Sequence, residues 1–234
     1  MLCEKEYIVV VTAAAPFKGN ETNPTQDVKK LMPDRIERRG HIPIKIIKYH
    51  TDFRNVIADM CLIPPLWNKD KRVYDPNTKP GKRIHVDAML HLGMNGVNYW
   101  QVENRARRDG YDWVGDDGVP LPKCNGVQGG RWEGLPEVLR PIFDVDAVVD
   151  KLHQQLPDTP TQASTDAGLL YCEFIFYTSL AALYRREEPA RALFLHHPGK
   201  KTTEQDIEEG VMIATVAICS MIDQLEAAFG YSEV

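Results

Sequence analysis

At 234 residues with 43% hydrophobic and 26% charged side chains, the chain is long enough to bury one substantial core and falls outside the compositional range of disordered proteins. Its formal net charge of −5, with Lys and Arg dispersed among the acids, excludes the electrostatic footprint of a dedicated nucleic-acid binder. The five cysteines, at positions 3, 61, 124, 172 and 219, are odd in number and contain no CxxC pair, which argues against a disulfide framework or a zinc site and predicts a reducing, cytoplasmic setting.

Glu4, Lys5 and Glu6 lead straight into the short apolar run Tyr7 to Val11, a start unlike a secretory signal, and no apolar stretch reads as a bilayer span. Ile8 to Thr12 is a β-branched run with the pattern of a buried strand, followed by a turn from Ala13 to Gly19. A short helix from Asp27 to Met32 is ended by Pro33, and Ile42 to Tyr49 reads as a second strand. Thr51 or Asp52 caps a helix carrying Val56, Ile57 and Met60, which Pro64 and Pro65 close; Asn68 to Lys82 is polar and loop-like.

Ile84 to Met94 is another apolar run, and Tyr99 to Ala106 a further strand candidate. From Asp109 to Ile142 the chain is rich in Gly, Pro, Asp and Trp without periodicity, and is expected to be a long surface excursion able to lid a site. A helix then runs from Asp144 or Asp146 to Leu156, with Val145, Val148, Val149 and Leu152 on one stripe, and the segment TPTQASTDAG reads as a turn. Leu169 to Arg186 is a strong helix, Ala192 to His196 a short buried strand, and a last helix extends to Gly230 behind a capping box of Thr202 and Gln205. Strands alternating with helices predict an α/β layered fold. The clusters Arg35, Arg38, Arg39 and Arg105, Arg107, Arg108 read as solvated faces.

A thiol attacks a carbonyl only as the thiolate, so a catalytic cysteine needs its pKa lowered. Cys172 follows a Ser/Thr/Asp/Gly cluster and falls in the first turn of its helix, where unpaired backbone N–H groups favour negative charge and are able to donate to an oxyanion. Position alone favours the commoner reading, a small buried residue on an apolar helix. His196, with His197 beside it, lies where a strand empties into a loop, and only one of two adjacent strand residues faces a given side. Glu103 is the candidate carboxylate to orient an imidazole, though by spacing alone it reads as a surface acid.

These segments resemble pyroglutamyl peptidase I, a family of cysteine peptidases that remove an N-terminal pyroglutamyl residue, in its eukaryotic branch. STDAGLLYCEFIFYTSL is similar to the family's D-x-G-x-x-x-C nucleophile segment, ALFLHHP to its F-x-H-x-P, HLGMNG from His91 to its H-x-G-x-x-G, and VDAVVDKL to the helix before the cysteine. The resemblance runs from Ile8 to about Gly230 and implies a single domain over 1–234: an α/β three-layer α/β/α sandwich around a central mixed sheet, phosphorylase/hydrolase-like. It implies Cys172, His196 and Glu103 as the catalytic set, an acyl-enzyme, and no metal or organic cofactor; charge and hydropathy already lead to no nucleic-acid or membrane partner being expected. Substrates would be peptides with a blocked N-terminus, with homo-oligomers possible within the family.

It also places Phe17, Ala14, Asn23, Leu170 and Tyr171 at the substrate. The family's first loop, T-G-F-x-P-F-G, holds two phenylalanines against the flat ring. Here it reads TAAAPFKG, so Phe17 matches the second aromatic and Ala14 replaces the first. Losing one aromatic wall removes about 1–3 kcal/mol of binding unless another side chain fills in. Trp113, Trp132 and Tyr111 from the excursion are candidates to rebuild it, and Arg108 stands where the family has Asn. The altered loop leaves two alternatives open: a binding protein of the same fold without turnover, or a cysteine hydrolase of shifted acyl specificity.

Overall fold

The structure is a computed structural model that describes residues 5–16, 21–51, 67, 85–114, 118, 120, 126, 128–199 and 203–230. The expected helix over Val56 to Met60, the loop to Lys82, and Phe17 lie outside the described residues.

Four parallel strands form the centre of a seven-stranded sheet: β1 (Tyr7–Ala14), β3 (Ile44–Thr51), β4 (Ala88–Asn95) and β9 (Ala192–Pro198), in the spatial order β3-β1-β4-β9. The two-residue β2 (Arg35–Ile36) runs antiparallel outside β3; β5 (Trp100–Glu103) runs antiparallel to β9, with β8 (Thr161–Ser164) parallel outside it. The sheet is therefore mixed, as expected. A separate ribbon pairs β6 (Ala106–Arg107) with β7 (Val138–Leu139). The strand expected over Tyr99 to Ala106 is thus split between β5 and β6, and β8 lies within the segment read as a turn.

Because side chains alternate along a strand, the sheet separates two cores. Val9, Val11, Leu90, Leu92, Leu193 and Leu195 face one of them, against helices α1 (Pro24–Leu31), α2 (Val145–Gln155) and α4 (Glu204–Phe229). Val10, Met89, Ala192 and Phe194 face the other, against α3 (Tyr171–Tyr184). Helix α4 is long and apolar enough, by length and composition, to cross a bilayer, contrary to the reading that no stretch is. Here its apolar row, including Ile213, Ala217, Met221 and Leu225, is buried in the first core.

Helix α3 has no polar face. Of its 14 residues, 12 are buried, including Phe174, Phe176 and Tyr177, and a helix apolar all round must be covered on all sides. The covering layer is the segment expected at the surface: Trp113, Trp132, Leu135 and Leu139 are buried in the α3 core, with Trp132 2% exposed and its ring 4.5 Å from that of Tyr177. Within this stretch these four side chains therefore line the core, while Val114, Val138 and Ile142 are exposed.

Two arginine readings change for a related reason. Arg38 is 7% exposed and paired with Asp223 and Glu226 of α4, and Arg107 with Glu173 of α3. The C-terminal helix is capped one residue later than expected, with Thr203 and Asp206 forming the reciprocal box. Thr203→Ala is expected to lower unfolding free energy by about 1 kcal/mol, measured by denaturant titration, while Gln205→Ala leaves it nearly unchanged.

Candidate active site

The register of β5 on β9 sets Gln101 opposite His196 and Glu103 opposite Phe194, so Glu103 and His196 project from the same face of the sheet, one diagonal step apart. His196 Nδ1 lies 2.8 Å from Glu103 Oε1, with the imidazole 3% and the carboxylate 0% exposed. Glu103 is thus a buried acid and not the surface acid its spacing alone suggested. A carboxylate only accepts, so Nδ1 carries the proton and the other nitrogen, Nε2, is directed away from it.

His197 points into the opposite core, 4.6 Å from the Trp100 ring centroid, with its Nδ1 2.5 Å from the Pro198 carbonyl oxygen. The period-2 geometry of β9 thereby selects His196 from the pair.

Cys172 is the second residue of α3, on the same side of the sheet as His196. The residue that begins the helix, Leu170, makes no side-chain cap, which leaves the first-turn N–H groups without that internal acceptor. Gly93 of β4 pairs with His196 and permits the close approach of the thiol: a Cβ there would lie 2.7 Å from the Phe194 ring and 2.8 Å from Cys172 Sγ.

His196 is pulled in two directions. Burial lowers its pKa, but the Cys172 thiolate, as neighbouring charge and hydrogen-bond partner, and then Glu103 raise it to about 9. The imidazole is therefore protonated at neutral pH when it faces the thiolate. His91, two residues before Gly93, has the opposite fate: burial holds its pKa at about 3, so it stays neutral between Thr12 Oγ1 (2.7 Å) and Ser179 Oγ (2.9 Å). That bridge ties β1 and β4 to α3 two turns beyond Cys172.

The expected substrate residues lie in different settings. Ala14 ends β1 and is 4% exposed, in the same apolar cluster as Cys172 and Tyr171. Asn23 caps α1, its Oδ1 accepting from Thr25 N and Oγ1, and its Nδ2 reaches the Ala15 carbonyl at 3.4 Å, so it braces the chain just after Ala14. Leu170 is 43% exposed beside Cys172, whereas Tyr171 is buried with its ring edge-on to Trp113. Of the excursion's aromatics, Trp132 is committed to the interior, and Trp113 is the one seated against Tyr171. Spacing did not reveal Arg107 and Glu173, which pair across 66 residues of sequence.

Comparison with known proteins bears on this arrangement. No family model matches the chain. It is 26% identical over 233 residues to human pyroglutamyl-peptidase 1, covering 95% of each chain, and 27% identical over 228 residues to the rat pyroglutamyl-peptidase 1, covering 93% of this chain and 92% of that one. The chain is related to the pyroglutamyl peptidases. The pyrrolidone-carboxylate peptidase of Thermoanaerobacter sp. (strain X514) is 23% identical over 195 residues, covering 81% of each.

The solved pyrrolidone carboxyl peptidase from Thermococcus litoralis superposes with a TM-score of 0.74 at 17% identity, covering 97% of this chain and 99% of that one, so the α/β fold is shared with these peptidases. Gly93→Ala is expected to displace the thiol: alkylation of Cys172 by iodoacetamide at neutral pH should slow by roughly tenfold or more, in keeping with an ångström-scale misplacement of a reacting atom, followed by peptide mass mapping.

Proposed function

We propose that the protein is a cysteine-type omega peptidase that hydrolyses the N-terminal pyroglutamyl residue from peptides. The observation that carries the reading is the buried chain Glu103–His196–Cys172 ending at an uncapped helix N-terminus. Relationship to the pyroglutamyl peptidases over nearly the whole length supports the choice of substrate.

Cys172 Sγ, as thiolate, attacks the pyroglutamyl carbonyl carbon, and the developing oxyanion meets N–H groups of the first turn of α3. Imidazolium His196 gives its proton to the departing amine as the C–N bond breaks, leaving a thioester on Cys172. Neutral His196 then takes a proton from water, whose oxygen displaces the sulfur and releases pyroglutamate. Glu103 holds the imidazole with Nδ1 protonated throughout and stabilises its charged form. No step requires a metal or an organic cofactor.

Beyond the reaction, Ala14 bears on the substrate. A methyl cannot replace an aromatic ring against the flat lactam, so Trp113, held edge-on to Tyr171, is the side chain we assign to that wall. If the pocket instead takes another blocked terminus, a panel of N-acyl aminoacyl amides will show one cleaved faster than the pyroglutamyl amide.

Cys172→Ala is expected to abolish cleavage of a fluorogenic pyroglutamyl amide, and His196→Ala to lower kcat by at least about 10³-fold. Unchanged turnover in Cys172→Ala would overturn the assignment. Because the raised His196 pKa means that its proton is held below pH about 9, activity should decline as pH rises through that value. Glu103→Gln removes one of the groups that raise it, so the alkaline limb should move toward neutrality. The stabilising charge on His196 follows the same sign: full below about 6.5 and lost as pH rises through about 9. Trp113→Ala is expected to raise KM for the pyroglutamyl amide by roughly tenfold, with a smaller change in kcat.

A further inference from the structure

The residue after the nucleophile, Glu173, is fully buried, with its side chain 0% exposed. A carboxylate in the first turn of a helix suits the helix dipole, but a buried carboxylate one residue along the chain from a thiol, left without a partner, would oppose a second negative charge there. One residue offsets it. Arg107 of β6 donates three hydrogen bonds to this carboxylate: from its main-chain N to Oε1 at 2.7 Å, from Nε to Oε1 at 2.8 Å, and from Nη2 to Oε2 at 2.6 Å.

The same Nη2 also donates to Asp166 Oδ1. That oxygen accepts from the N–H of Gly168, whose φ of +76° turns the chain into α3. Tyr111 Oη donates to the Arg107 carbonyl oxygen at 2.6 Å, and its ring lies edge-on to Phe174. Arg107 therefore joins the turn before Cys172, the residue after it, and the entry to the excursion.

Glu173 is buried and Arg107 is 29% exposed, and an ion pair in which a carboxylate must be fully desolvated is a poor source of net stability. An arginine with main chain and side chain both committed to one carboxylate beside a nucleophile fits a role in setting geometry and charge. We propose that Arg107 is a positioning residue for the Cys172 site: it neutralises the buried Glu173 carboxylate and locks the Asp166–Gly168 turn that leads into α3. The inference rests on the reading of Cys172 as nucleophile. The charged groups on the elements that meet at this helix start are His196 from β9, Glu103 from β5, Glu173 from α3, Arg107 from β6 and Asp166 from the approach turn.

The test is the pH dependence of Cys172 alkylation by iodoacetamide in the full chain, with the modified peptide quantified by mass and folding followed by circular dichroism. Arg107→Met leaves Glu173 uncompensated and is expected to raise the alkylation midpoint by about half to one pH unit. Glu173→Gln leaves the arginine charge and is expected to lower it by a few tenths. The double variant Arg107→Met/Glu173→Gln should return near wild type, and Arg107→Lys should retain most of the effect. Turnover of the pyroglutamyl amide at pH 7 should follow the thiolate fraction, falling up to about tenfold in Arg107→Met and recovering in the double variant.

An unmoved midpoint in folded Arg107→Met, or a shift that the double variant does not reverse, overturns the proposal. Should Arg107→Met fail to fold, Glu173→Gln decides it alone, since an unchanged or raised midpoint contradicts the charge argument. Alkylation needs no substrate, so this outcome is separable from the peptidase assignment: an enzyme unaffected by Cys172→Ala fails that assignment while the midpoint shifts still report on Arg107.

Discussion

A carboxylate and an imidazole buried side by side in the middle of a sheet set the terms for everything around them. Glu103 and His196 are 0% and 2% exposed, and polar groups so far from water need partners. The carboxylate answers one side of the imidazole at 2.8 Å, and the thiol of Cys172 answers the other. The site is thus a three-body arrangement in which the imidazole is shared between a carboxylate and a thiol. Gly93 follows from this, since a side chain on the neighbouring strand would occupy the space through which the thiol reaches the ring.

Holding a helix so that its second residue meets a histidine on a strand demands more than the helix itself supplies. Ser179 receives Trp67 Nε1 at 3.3 Å and contacts the neutral His91, fixing α3 to β4 in its middle. Arg107 fixes its beginning, and Trp113 and Trp132 cover the side away from the sheet. A helix with 12 buried residues in 14 cannot slide without exposing aromatic surface. The placement of Cys172 therefore comes from a layer outside the proposed catalytic set.

The same layer reaches toward the place where the substrate would sit. Ala14, Tyr171 and Trp113 share one apolar cluster with Cys172, while Leu170 stands exposed at the helix entrance. The wall that a flat lactam needs is supplied, in our reading, from the excursion and not from the loop after β1. On the proposed function, chemistry and specificity would be carried by different segments of the chain.

Much of the fold was legible because periodicity is local: the β-branched run of β1, the stripe of α2 and the apolar rows of α4 each announce their own class within a dozen residues. Cys172 at a helix start and His196 at a strand end were legible for the same reason, and matched segments around them suggested the chemistry. The burial of Glu103 was not, because an acid in an alternating strand looks identical whether its neighbour is water or an imidazole. The interior placement of Trp113, Trp132, Leu135 and Leu139 was hidden by the segment's lack of period, though the absence of any polar face on α3 already required a cover. The pairing of Arg107 with Glu173, and the choice of His196 over His197, were decided only by tertiary structure, because both depend on which strands and helices lie side by side and on the register between them.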